Sequence, residues 1–142
     1  MELEGIINVS GKSGLFRVIS KTNTTVIIES LIDKKRTVIY SNNQANLLEE
    51  IGIYTYNDTI PLNEIFTTIA KKTKCGPCIN HKSSKEDLTN YFREILPEYD
   101  EDRVYISDIK KVIQWYNIMQ SVDLIKIPKN KKENKKEEKD EI

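Results

Sequence analysis

The sequence predicts an α+β protein: an N-terminal small SH3-like or Tudor-like β-barrel with a capping helix, then a C-terminal helical hairpin and a disordered charged tail. Three observations predict it. The chain through residue 60 alternates short β-rich runs with polar turns. From Pro61 the apolar spacing changes from two to 3.6 residues. From Lys129 no hydrophobic residue occurs until Ile142. The expected parts are residues 1–72 for the barrel and its helix, 73–82 for a linker, 83–125 for the hairpin and 126–142 for the tail.

Five runs rich in Ile, Val, Thr and Tyr read as strands: Leu3 to Val9, Leu15 to Ser20, Thr25 to Ile32, Arg36 to Tyr40 and Ile51 to Tyr56. Ser10-Gly11-Lys12-Ser13-Gly14, Thr22-Asn23-Thr24 and Asp33-Lys34 are short turns that permit antiparallel hairpins. Asn42 to Glu50, with Leu47-Leu48, reads as a short helical or 3₁₀ connection. Five such strands close most economically into a barrel, because closure removes exposed edges. A split five-stranded sheet is the competing arrangement.

Pro61 suits a first helical turn, where its missing N–H costs nothing, and Leu62, Ile65, Phe66, Ile69 and Ala70 form one stripe to cap the barrel. Gly76 and Pro77 break the period, so Thr73 to Lys82 is a linker. Ser83 with Glu86 matches a capping box, followed by Leu88, Tyr91, Phe92, Ile95 and Leu96 on a helix ending before Pro97. After a nine-residue turn, Ser107 is the expected cap of a helix through Met119, with Ile109, Val112, Ile113 and Tyr116 on one side. Trp115, Ile118 and Val122 form a second strip on its far side.

Composition removes whole function classes. The chain has 142 residues, and its 22 basic and 22 acidic side chains cancel, which excludes a globally basic polyanion binder. With 38% hydrophobic residues it can bury a core. No apolar run approaches the ~20 residues that span a bilayer, and Met-Glu-Leu-Glu-Gly carries acids where a secretion signal carries bases. A cytoplasmic protein without a membrane partner is expected. Ile, Lys and Asn fill 51 positions and only four basic residues are arginine, as AT-rich codons produce, so lysine abundance counts for little.

Cys75-Gly76-Pro77-Cys78 has the spacing of a redox pair or half a zinc site. It follows a helix in a linker, without the strand-to-helix setting that activates a thioredoxin-type thiol. Adding His81 gives three metal ligands but no fourth, so Cys75, Cys78 and His81 are weak zinc candidates and no cofactor is expected. Asp100-Glu101-Asp102 lacks the glycine and ligand spread of a calcium loop and reads as a turn in which Asp102 caps or pairs with Arg103. The chain contains no dinucleotide or phosphate-loop fingerprint and no nucleophile elbow. The single histidine leaves no plausible nucleophilic triad, so a non-enzymatic binding role is expected.

The sharper positive reading is contact with RNA, DNA or a nucleoprotein complex. Lys12, Arg17, Lys34, Lys35 and Arg36 lie in or beside two turns expected on one rim, with Phe16, Tyr40, Tyr54 and Tyr56 as stacking rings. Lys110, Gln114 and Asn117 share a polar helix face with residue types suited to phosphates and base edges. Six basic and seven acidic residues through residue 60 make any such site local. The alternative is a protein–protein adaptor anchored by Trp115, Ile118 and Val122. The tail holds five lysines in Lys129 to Lys136 and four acids in Glu137 to Ile142, which suits solubilising low complexity.

Three segments together resemble a bacterial family of uncharacterised two-domain proteins: Gly5-Ile6-Ile7-Asn8-Val9-Ser10-Gly11-Lys12-Ser13-Gly14-Leu15-Phe16, His81-Lys82-Ser83-Ser84, and Leu96-Pro97-Glu98-Tyr99-Asp100 through Tyr105 with Ile109 to Asn117. The resemblance implies an N-terminal domain and a small C-terminal helical domain, both of unknown function, over residues 2–120. It implies no activity, cofactor or catalytic residue.

Overall fold

The structure, a computed structural model, describes residues 3–40 and 44–125. The expected disordered tail, residues 126–142, lies outside the described residues. Five antiparallel strands form one sheet: β1 (Ile6–Val9), β2 (Phe16–Lys21), β3 (Thr25–Ser30), β4 (Arg36–Tyr40) and β5 (Ala45–Leu47), in the order β4-β3-β2-β1-β5. β4 and β5 are its two edges and do not pair with each other, so the sheet is open and the closure expected of a barrel is not made. Gly11 and Gly14 carry φ of 84° and 88° in the β1–β2 turn, a conformation that glycine adopts without a Cβ penalty.

The expected fifth strand is the main departure. Ala45–Leu47, read as part of a helical connection, pairs with β1 and supplies the fifth strand, while the 3₁₀ turn follows at Leu48–Glu50. The run from Ile51 to Tyr56 instead contributes β6 (Gly52–Tyr54), which pairs with β7 (Thr59–Pro61) in a separate hairpin. An alternating apolar run shows that a strand forms; it does not name the partner.

Register sorts the residues of the main sheet onto two faces. Ile7, Val9, Phe16, Ile28 and Ile39 make a small core of their own, with Val18, Val26 and Leu47 against it. The sheet therefore curls around its own concave side, helped by a register shift in β2 between Val18 and Ser20 that bends the strand. The convex side is divided. Leu3, Ile6, Leu15 and Leu31 pass into the helical core, whereas Val38 and Tyr40 stay 52% and 62% exposed.

Helix α1 (Leu62–Thr73) buries the expected stripe of Leu62, Ile65, Phe66, Ile69 and Ala70, with Pro61 as its extended N-cap rather than its first helical residue. It packs against the 3₁₀ turn, β7 and α2. Helix α2 (Lys85–Ile95) is capped by Ser84, not Ser83: the Ser84 hydroxyl accepts the Asp87 N–H at 3.1 Å. Helix α3 (Ile106–Ser121) begins after Tyr105, whose N–H donates to the Asp108 carboxylate at 2.9 Å, so Ser107 lies inside the helix and is not its cap. Both apolar strips of α3 are used: the helix packs against α2, and residues of both strips belong to one core. Trp115 and Tyr116 join Phe66, Phe92, Leu15 and Leu31 in one continuous core.

That continuity predicts one cooperative transition. Phe66→Ala should cost about 3–5 kcal/mol, and urea melts followed by sheet and helix signals should shift together. Separate midpoints for the two signals would show that the sheet folds independently.

Candidate functional site

The sequence-predicted basic cluster is brought together in part. The Leu31 N–H donates to the Leu15 carbonyl at 3.1 Å, which ties the β1–β2 and β3–β4 turns into one rim and places Lys12, Lys34 and Lys35 there, all exposed. Lys34 has φ of 65°, and the Asp33 carboxylate accepts the Lys35 N–H at 2.9 Å. That bond holds the Asp33 carboxyl below its ordinary range. Arg17 and Arg36 stand on the convex face just below the rim, on either side of Glu29 in register. Arg36 Nε lies 3.5 Å from Glu29 Oε2.

The expected stacking rings separate. Phe16 is buried in the concave core and has no face to offer. Tyr40 is exposed at the far end of β4 from the rim, on the same face as Arg36 and Val38. Tyr54 and Tyr56 are exposed but belong to the β6–β7 hairpin, Tyr54 in β6 and Tyr56 in its turn, outside the curled sheet.

The adaptor residues are largely internal. Trp115 is 6% exposed and part of the core, and Ile118 and Val122 pack partly buried against it. On the polar side of α3, Asn117 is occupied: its Oδ1 accepts the Cys78 N–H at 2.9 Å and its Nδ2 donates to the Ile79 carbonyl at 3.0 Å.

Those bonds also fix the cysteine segment, expected as a flexible loop. α1 ends through two consecutive left-handed residues, Lys74 and Cys75, and the Tyr116 hydroxyl donates to the Gly76 carbonyl at 2.8 Å. Both cysteines are free thiols. Burial pushes the Cys78 thiol up to about 12, the opposite of an activated nucleophile. Among the described residues no group of three or more His, Cys, Asp or Glu side chains comes together to hold a metal ion.

The acidic turn is also differently paired than expected. Asp100, not Asp102, binds Arg103, with Arg103 Nε donating to Asp100 Oδ2 at 2.7 Å, and Glu101 pairs with Arg93 at 3.0 Å. The Arg103 bond is the main cause that holds the Asp100 carboxyl below its ordinary range. Arg103 also donates to the Thr55 carbonyl at 3.3 Å and lies over the Tyr54 ring at 4.3 Å.

Sequence reasoning missed one feature entirely. A cleft of about 280 Å³ opens between β1 and β5, the β6–β7 hairpin and the first half of α3. Asn8 and Asn46 stand on one wall, Arg103 and Lys111 on the other, with Ile53, Val112 and Trp115 among the apolar lining. Its residues come from four separated stretches of chain, so no local motif announces it.

A curled five-stranded sheet joined through one core to a hairpin and three helices is a two-part α+β architecture. The chain belongs to the family that joins, in this order, the Domain of unknown function (DUF5606), matched over residues 3–48, and the Domain of unknown function (DUF6852), matched over residues 51–119. It is similar to a Bacteroides vulgatus protein whose solution NMR structure was a structural genomics target. The two are 36% identical, with a TM-score of 0.75, over 90% of this chain and 92% of the other. No curated protein matches the chain. Among the described residues no helix is long and apolar enough to cross a membrane.

Two measurements test these environments. A thiol near 12 is roughly one part in ten thousand thiolate at pH 8, so iodoacetamide should leave Cys78 unmodified in the folded protein; rapid alkylation there would overturn its burial. Because the folded Asp100 value is depressed, its ion pair contributes fully above the ordinary carboxylate range and is lost as pH falls through the folded value. Asp100→Asn should therefore be less stable than wild type at pH 7, with the gap closing below pH ~4. A gap of constant size would show that Asp100 is not an ionised partner.

Proposed function

We propose that this protein is a non-catalytic, cytoplasmic binding module that takes a nucleic-acid strand along the rim and the exposed convex face of β2 to β4. The observation that carries the reading is the Leu31–Leu15 bond, which joins the β1–β2 turn, with Lys12, to the β3–β4 turn, with Lys34 and Lys35, while Arg17 and Arg36 stand in the adjoining strands. A backbone crossing the rim meets these cations, and a base carried along β4 meets Tyr40, a sequence-tolerant stacking platform. The strand order, with β5 returning to β1 around a private concave core, supports reading the N-terminal part as a small SH3-like barrel that is incompletely closed.

Five basic side chains against Asp33 and Glu29 leave a modest local surplus, so binding should be weak and salt-dependent, with a slope of log K against log salt of roughly −2 for a single strand. Lys34, Lys35 and Arg36 changed together to Glu should abolish binding of a labelled oligonucleotide in fluorescence anisotropy while leaving the melting transition in place. Salt-independent binding, or unchanged affinity in the triple variant, would reject the reading.

A further inference from the structure

The cleft at the junction of the two family segments has the chemistry of a ligand site and does not involve the rim. Its floor is apolar and includes Trp115, the single tryptophan of the chain, beside Val112 and Ile53. On one wall Asn8 and Asn46 face each other directly across the β1–β5 ladder, so two carboxamides present donors and acceptors side by side. Across from them stand two cations. Arg103 is held in place by Asp100 and by the Tyr54 ring beneath it. Lys111 is exposed, and among the described residues neither it nor the two asparagines makes a side-chain hydrogen bond or ion pair. The one carboxylate of the lining, Asp108, is engaged by the Tyr105 N–H at the start of α3.

Each feature selects part of a ligand. An apolar floor that includes an indole takes a flat ring. Paired carboxamides suit the donor–acceptor edge of a nucleobase, asparagine matching adenine in particular. Two cations opposite suit a phosphate. A volume of about 280 Å³ limits the occupant to a single small unit. We propose that this cleft binds a free purine mononucleotide, its ring over Val112 and Trp115, its base edge on Asn8 and Asn46, and its phosphate between Lys111 and Arg103.

The probe is adenosine 5′-monophosphate, titrated into the full chain with Trp115 fluorescence and amide NMR shifts as readouts. The expected result is a saturable change in Trp115 emission with shifts at Gly52, Ile53 and Lys111. Adenosine and inorganic phosphate, tested separately, should each bind more weakly than the nucleotide. Lys111→Glu and Asn46→Leu, both at exposed positions and so expected to fold, should each weaken binding about tenfold. The Lys34/Lys35/Arg36 charge reversal should leave nucleotide affinity unchanged, which separates this site from the rim. No saturable response up to about 10 mM, phosphate binding as tightly as the nucleotide, or affinity indifferent to Lys111→Glu would overturn the proposal.

Discussion

The connection between β4 and β5 constrains everything else in the N-terminal part. The two strands occupy opposite edges of a five-stranded sheet, which in a flat sheet would hold them roughly 19 Å apart. The gap is larger still, because Tyr40 pairs with Thr25 at one end of the sheet and Ala45 pairs with Val9 at the other. Only residues 41–44 join them, and the five steps from Tyr40 to Ala45 reach about 18 Å at full extension. The sheet must therefore coil. Coiling creates the concave core around Phe16 and Ile28, and it leaves a convex face too large for the helices to cover. The exposed strip from Arg36 to Tyr40 is thus a geometric consequence of a short loop.

Helices α2 and α3 are fastened to the β6–β7 hairpin through the turn that separates them. That turn runs along the β6–β7 hairpin almost as a third strand: Tyr56 N–H donates to Glu98, Asp100 N–H donates to Tyr54, and Thr55 bridges Tyr99. The Asp100–Arg103 pair locks the same corner from the side-chain level. A ten-residue turn between two helices would otherwise leave their relative position loose. Here it fixes α3 against the hairpin and so creates the cleft, which exists only because both family segments contribute walls to it.

Much of this was legible from spacing alone, and the failures have identifiable causes. The stripes of α1 and α2 were readable because apolar residues at 3.6-residue spacing have one burial solution. The fifth strand was not, because Ala45-Asn46-Leu47 has weak β preference and is held by its ladder to β1 rather than by propensity. Ser83 and Ser84 offer equivalent hydroxyls, and only the chain's entry angle chooses between them. Trp115 drew attention as an anchor because two apolar strips on one helix look like a surplus, yet residues of both strips belong to one core. The β1–β2 and β3–β4 turns that carry Lys12, Lys34 and Lys35 lie at one end of the sheet, because alternate hairpin turns of a meander fall on the same end. The cleft was invisible because Asn8, Asn46, Arg103 and Lys111 share no segment.

A net charge of zero does not weigh against a polyanion ligand once the charges are located. Glu29 sits between Arg17 and Arg36, and Asp33 sits among the rim lysines, so the acids that balance the total also thin the local surplus. The Asp33 carboxyl, held low by its turn bond, stays ionised into the acid range and keeps that surplus small. On the proposed reading, rim affinity would rest on a few cations that make no ion pair among the described residues, and it would fall as salt rises. In the cleft proposed as a nucleotide site, Arg103 and Lys111 stand beside an apolar lining of Ile53, Val112 and Trp115.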